Sequence, residues 1–190
     1  MVLTVMEQTI QCCIVGDGMV GKSSIIKSFI EQSTPGDYVA TISDSYSGDA
    51  SFIGVNYTVS ISDCTGEHEN NEIRCSHYKD TDVFVVCYSV TDRESFDSVR
   101  TFWLPEIRKV AGKKPVILVA TQSDSRGQTG EETISKFEGL ELADEIGADH
   151  FTECSSVSRR GIPKVFEYSI QSVLKHKKSK SNIVKRLIRK

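Results

Sequence analysis

Gly16-Asp17-Gly18-Met19-Val20-Gly21-Lys22-Ser23 is the stretch whose reading decides the fold of this chain. It fits G-x-x-x-x-G-K-[ST] and lies between an apolar run, Thr9–Val15, and a helical one, Ser23–Glu31. That strand–loop–helix context is the one the pattern requires. Its glycines let the backbone wrap closely around phosphates, and the start of a helix offers unpaired N–H groups. Lys22 is expected to reach the terminal phosphates of a nucleoside triphosphate, and the Ser23 hydroxyl to bind Mg²⁺. Gly16, Asp17, Gly18, Met19, Val20, Gly21 and Ser24 complete the expected cradle. A glycine-rich turn that fits by chance is the bland alternative.

Outward from this loop, runs of strand length alternate with helical segments. Thr9–Val15, Val55–Ile61, Val83–Tyr88 and Val116–Ala120 are rich in β-branched and aromatic residues. The runs at 83–88 and 116–120 are almost continuously apolar, as expected for strands covered on both faces. Ser23–Glu31, Arg93–Val110, Glu131–Ile146 and Ile162–Lys175 read as helices, with Pro105 expected to kink or end one of them. The alternation predicts an α/β sandwich with a mainly parallel sheet. With 190 residues there is room for one domain, read as 8–174, followed by a tail, 175–190.

The net charge of −3 hides an asymmetry. From Lys175 onward there are eight basic residues and no acidic one; removing those eight from 23 leaves 15 against 26 acidic residues, a body of −11. An acidic body argues against a nucleic-acid-binding domain, and the basic end points to an acidic surface. The six cysteines, Cys12, Cys13, Cys64, Cys75, Cys87 and Cys154, form no CxxC pair and read as reduced cytosolic thiols. No secretory signal is evident, no apolar run reaches the roughly 18 residues needed to span a bilayer, and Val2 excludes N-myristoylation.

The phosphate loop alone says only nucleoside triphosphate. Thr121-Gln122-Ser123-Asp124, at the end of an apolar strand, adds base choice. A carboxylate at Asp124 can accept hydrogen bonds from the N1–H and exocyclic amine of guanine, which adenine does not offer. Glu153-Cys154-Ser155-Ser156 stands where backbone N–H groups can meet the guanine O6.

Over residues 8–172 the chain resembles a Rho-family small GTPase of the Ras superfamily, nearest the Rac and Cdc-type members. The resemblance rests on Gln8-Thr9-Ile10-Gln11-Cys12, the phosphate loop, Tyr38-Val39-Ala40-Thr41, Asp63-x-x-Gly66 and Phe102-Trp103-Leu104-Pro105-Glu106-Ile107. Thr121-Gln122-Ser123-Asp124, Glu145-Ile146-Gly147-Ala148 and Glu153-Cys154-Ser155 follow in order. It implies a P-loop small G-domain, a three-layer sandwich around a six-stranded, mainly parallel sheet. Two switch loops would hold or release effectors according to the γ-phosphate of GTP. It further implies that Thr41 and Asp63 join Ser23 around Mg²⁺, that the Gly66 N–H senses the γ-phosphate, and that Tyr38 covers the phosphates. Phe102 and Trp103 read as core or groove residues.

The chain also departs from that family. The phenylalanine that stacks on guanine is replaced by Thr34, before Pro35-Gly36. Loss of such stacking costs ~1–3 kcal/mol, or roughly 5- to 150-fold in affinity, which predicts fast nucleotide exchange. Glu67 stands at the water-positioning glutamine and Thr65 at the preceding alanine. The expected catalytic set is Glu67, Lys22 and Thr41. Because phosphoryl transfer rests on positioning and electrostatics, slow hydrolysis is expected, with acceleration by an activating protein in doubt. Partner positions have become Ser43, Ser45, Asn70 and Ser76, and the family's helical insert after Asp124 is shortened or absent.

No cysteine follows Cys154, so the C-terminal prenylation of family members is not expected. Ile183, Val184, Leu187 and Ile188 would share a helical face opposite Lys185, Arg186, Arg189 and Lys190. That pattern suits an anionic membrane surface, with an upper bound of about 8 kcal/mol for eight charges. A solvated tail and a nuclear localisation signal are the alternatives. The sequence thus predicts a monomeric, cytoplasmic switch, peripheral on the cytosolic face of a membrane. It binds GTP or GDP with Mg²⁺ and signals to cytoskeleton or membrane traffic. Effectors, exchange factors and activating proteins are its expected partners. A GTP-loaded binding module without turnover is the second reading, and a small-molecule kinase a third that Asp124 disfavours.

Overall fold

The computed structural model describes residues 8–31, 45–64, 71–127 and 132–188. In chain order its elements are β1 (Gln8–Val15), α1 (Lys22–Ile30), β2 (Ser45–Phe52), β3 (Val55–Asp63), α2 (Asn71–Tyr78) and β4 (Val83–Ser89). There follow α3 (Arg93–Ser98), a π-turn (Val99–Trp103), α4 (Leu104–Ala111), β5 (Val116–Thr121), a 3₁₀ turn (Ser123–Ser125), α5 (Lys136–Glu145), β6 (His150–Glu153) and α6 (Ile162–Ile188). The sheet order is β2-β3-β1-β4-β5-β6, with only the β2–β3 pair antiparallel. The expected three-layer α/β sandwich with a six-stranded, mainly parallel sheet is present.

Strand alternation sorts the core onto two faces. Ile10, Cys12 and Ile14 of β1 pack with Ile25, Ile26 and Phe29 of α1 and with Phe166 and Ile170 of α6. Cys13 and Val15 point the other way, into a cluster with Tyr78, Phe96, Trp103, Ile107 and Leu142. All of β4 and all of β5 are buried, because helices cover both faces. This places the carboxyl ends of β1, β3, β4 and β5 along one edge of the sheet, where the loops that carry the chemistry converge.

Several elements differ from the sequence reading. Pro105 does not end its helix. The segment runs from Arg93 to Ala111, with a π-turn before the proline in which the Leu104 N–H reaches back to Val99 O. The wider turn accommodates a residue with no N–H to donate. The helix expected at Glu131 starts at Lys136, where Ser135 and Glu138 form a reciprocal capping box. α6 does not stop at Lys175 but continues to Ile188, so the body–tail boundary at 174/175 falls inside one helix. β2, β6 and α2 carry no strong periodic signal and are set by their neighbours. Among the described residues no helix is long and apolar enough to cross a membrane.

Candidate functional site

The phosphate loop leaves β1 at Gly16, whose φ of 143° and close approach to the Cys87 carbonyl leave no room for a Cβ. Val20 is buried as the loop's apolar foot, while Met19 stands out at 95 % exposure. Lys22, the first residue of α1, turns its ammonium back across the loop onto Gly16 O at 2.8 Å and Asp17 O at 2.7 Å. Burial there lowers its pKa, and the nearby acids oppose the shift. The Lys22 charge is thus held at the centre of the loop.

β3 runs parallel to β1 in a register that sets Asp63 beside Ile14. The Asp63 carboxylate consequently reaches Ser23, whose Oγ donates to it at 2.5 Å. A hydroxyl and a carboxylate meeting at a helix N-terminus are the hard oxygen donors that Mg²⁺ takes, leaving its other positions to water and phosphate. The residues present fit that ion. Ser23 and Asp63 would hold it, and it would neutralise developing charge on the phosphate oxygens.

At the base-binding end, three loops are stitched together. Thr121, 2 % exposed, sets its hydroxyl 2.5 Å from Val20 O and 3.0 Å from Tyr88 O. The Gln122 amide donates to Met19 O at 3.1 Å and accepts from Ser89 Oγ at 2.8 Å. Ser123 N–H donates to Cys154 O, which fixes the Asp124 turn against the Glu153–Ser156 loop. Of the residues expected around the base, Thr121, Cys154 and Ser155 have buried side chains. The N–H groups of Cys154 and Ser155 donate to Ala120 O and Arg160 O.

Gly161 is a residue the sequence reading missed. Its φ is 80°, and a Cβ would strike the Glu153 carbonyl, so the chain can pass beneath the base loop only without a side chain. The Arg126–Glu153 ion pair at 2.6 Å braces the same loop.

The sequence alone makes Trp103 a core or groove residue. It is fully buried, but its Nε1 donates at 2.6 Å to Asp17 Oδ1 in the phosphate loop. The π-turn, an extra residue per turn, sets the angle of this ring. Against it lies the guanidinium of Arg74 from α2, 5.1 Å from the ring centroid and doubly bonded to Glu106 at 2.8 and 2.7 Å. Tyr78 donates to the same carboxylate at 2.8 Å. The phosphate loop is therefore linked to the helix that follows Asp63-x-x-Gly66 through one buried cation and one indole.

Thr34, Tyr38, Thr41, Ser43, Asn70, Thr65, Gly66 and Glu67 lie outside the described residues. What is described is nonetheless decisive for class: a phosphate loop between β1 and α1, on a six-stranded sheet, defines a P-loop small G-domain. The chain belongs to the Ras family, whose profile matches residues 11–175. It is accordingly a GTP-binding switch and GTPase of that family, a class that binds guanine nucleotide, typically with Mg²⁺, and answers to effectors, exchange factors and activating proteins.

Proposed function

We propose that this chain is a Rho-type switch within the Ras family, with fast nucleotide exchange and slow hydrolysis. The observation that carries the nucleotide chemistry is the Ser23–Asp63 contact across a loop whose centre holds the Lys22 ammonium. In this reading Lys22 reaches the β- and γ-phosphates, Asp124 selects guanine, and Ser156 N–H meets O6. Gln122 flanks the base. Tyr38, Thr41 and Gly66 close over the γ-phosphate.

Thr34 in place of an aromatic removes the upper face of the base site, which supports fast release. Glu67 orients the attacking water but donates no amide hydrogen bond to the transition state, which supports slow turnover. The Rho assignment is supported by the resemblance of Gln8-Thr9-Ile10-Gln11-Cys12 and Phe102-Trp103-Leu104-Pro105-Glu106-Ile107 to that family's sequence. The basic stretch 175–190, helical to Ile188, supports peripheral attachment to an anionic cytosolic membrane face. Signalling to cytoskeleton or membrane traffic goes with that reading.

The test is nucleotide analysis of the protein as isolated from cells, followed by single-turnover hydrolysis of the native chain and Glu67→Gln. Bound guanine nucleotide, release of labelled GDP within minutes, and faster hydrolysis in Glu67→Gln are expected. Adenine nucleotide in the site would overturn the base assignment. A second reading, a binding module held in the GTP state, is favoured by the same Glu67 and Thr34; it predicts purified protein carrying GTP alone and no measurable turnover.

A further inference from the structure

The side chains of Cys13, on β1, and Cys64, the residue after Asp63, meet with their sulfurs 3.2 Å apart in the buried layer under α2 and α4. The contact is built by the fold. Ile14 is in register with Asp63, and Cys64 N–H donates to Ile14 O at 3.2 Å, so the two side chains fall diagonally on the same face of the parallel pair. A disulfide requires about 2.05 Å between sulfurs, so closure asks for about 1 Å of movement from a pair that is already in contact.

We propose that Cys13 and Cys64 form an oxidisable dithiol, closed to a disulfide by a hydroperoxide, and that the bond slows nucleotide release. The two thiols differ slightly in access. Cys13 is fully buried and Cys64 is 4 % exposed. Burial also drives the Cys13 thiol well above its ordinary value, so it is a poor first nucleophile. Cys64, the less enclosed of the two, reacts first. Its sulfur takes the distal oxygen of the peroxide, giving a sulfenic acid and an alcohol, or water from hydrogen peroxide. The Cys13 sulfur then displaces that oxygen, which leaves as water carrying the thiol proton. Two electrons pass from the two sulfurs to the peroxide, and the balance is two thiols plus peroxide to disulfide plus water and alcohol.

The consequence follows from what the bond encloses. Cys13 and Cys64 are 51 positions apart, and the closed loop contains the phosphate loop and all of α1, β2 and β3. Cys64 neighbours Asp63, the carboxylate that holds Ser23. Release of a phosphate ligand needs local opening between these parts, and a covalent tie from β1 to the end of β3 restrains that opening.

The test uses the full chain loaded with labelled GDP and treated with hydrogen peroxide under native conditions. Remaining thiols are then alkylated and the peptides mapped by mass. Expected are a Cys13–Cys64 cross-linked peptide lighter by two hydrogens, its reversal by a dithiol reductant, and GDP release slowed at least about threefold. Cys64→Ser and Cys13→Ser should remove both effects. The wild-type map stands even if a buried serine destabilises the fold. Free thiols at both positions after the more exposed Cys75 is fully oxidised would overturn the proposal. So would Cys64 stopping at sulfinic acid beside free Cys13, or a disulfide that leaves release unchanged.

Discussion

The indole Nε1 of Trp103 donates at 2.6 Å to the Asp17 carboxylate, joining residues 86 positions apart in the chain. The bond ties the second residue of the phosphate loop to a π-turn, and the same indole faces Arg74 of α2. Trp103→Phe keeps the packing and the face for Arg74 but deletes the N–H. A hydrogen bond to a charged acceptor is worth ~1.5–3 kcal/mol, so if part of it holds the loop, GDP should leave several-fold faster. Labelled-GDP dissociation measures this, and an unchanged rate would show that the bond only decorates the loop. Because the chain has one tryptophan, its own emission should report loop movement in the native protein.

The Arg74–Glu106 pair is buried, with side-chain exposures of 0 % and 9 %. Removing one partner strands the other, at a cost of ~3–5 kcal/mol. Glu106→Ala should lower stability by that order in urea unfolding. The double change Arg74→Met with Glu106→Leu should recover most of it, because an apolar pair leaves no buried charge uncompensated. Failure of the double variant to exceed Glu106→Ala would contradict this account.

Ser135 and Glu138 start α5 with a capping box, and Arg93 pairs with Glu138 at 2.8 Å. Hydrogen bonds from Ser135, then Arg93, hold the Glu138 pKa down to about 2 from 4.5. A folded-state value below the unfolded one means this stabilisation is complete above about pH 4.5 and is lost as pH falls towards 2. Thermal melts from pH 6 to 2.5 should therefore converge for the native chain and Glu138→Gln at the acid end and diverge above it. Ser135→Ala should cost ~1 kcal/mol at neutral pH.

Gly161→Ala introduces a Cβ that meets Glu153 O and the Cys154 backbone. The loop carrying Ser156 has to shift, so affinity for GDP and GTP should fall together by tenfold or more, ~1.4 kcal/mol. Equilibrium binding measures the effect. A melt of the nucleotide-free protein separates it from general unfolding.

Chelation of Mg²⁺ should accelerate GDP release from the native chain and have little further effect on Asp63→Ala, whose carboxylate partner for Ser23 is gone. Equal acceleration in both would move the ion away from Asp63.

The parts of this molecule legible in the sequence are those where local pattern and tertiary role coincide. β4 and β5 are apolar throughout because both faces are covered, and the phosphate loop needs its residues in a fixed order. β2 reads Ser-Tyr-Ser-Gly-Asp-Ala-Ser-Phe, too polar for a strand on propensity, and exists because β3 pairs with it in an edge position. β6, four residues long, is fixed only by pairing with β5. The Ser135–Glu138 capping signature is legible in the sequence and marks the start of α5 more closely than Glu131 does. Trp103 shows the limit most clearly: nothing local distinguishes a core indole from one aimed at Asp17, since the aim comes from a π-turn and a distant loop.

α6 is 27 residues long, a rod of ~40 Å at ~1.5 Å per residue. It starts beside Gly161 under the base loop, and Lys177 still reaches Asp82 at 3.9 Å before the helix runs on to Ile188. A slack tether would let the body tumble beneath whatever grips its end. A rod packed along one face of the sheet beside α1 instead gives the basic stretch a fixed direction relative to the body. The direction in which the chain leaves the body at Ile188 is thereby set by the same helix whose first turn abuts Gly161 and the Glu153–Cys154 backbone.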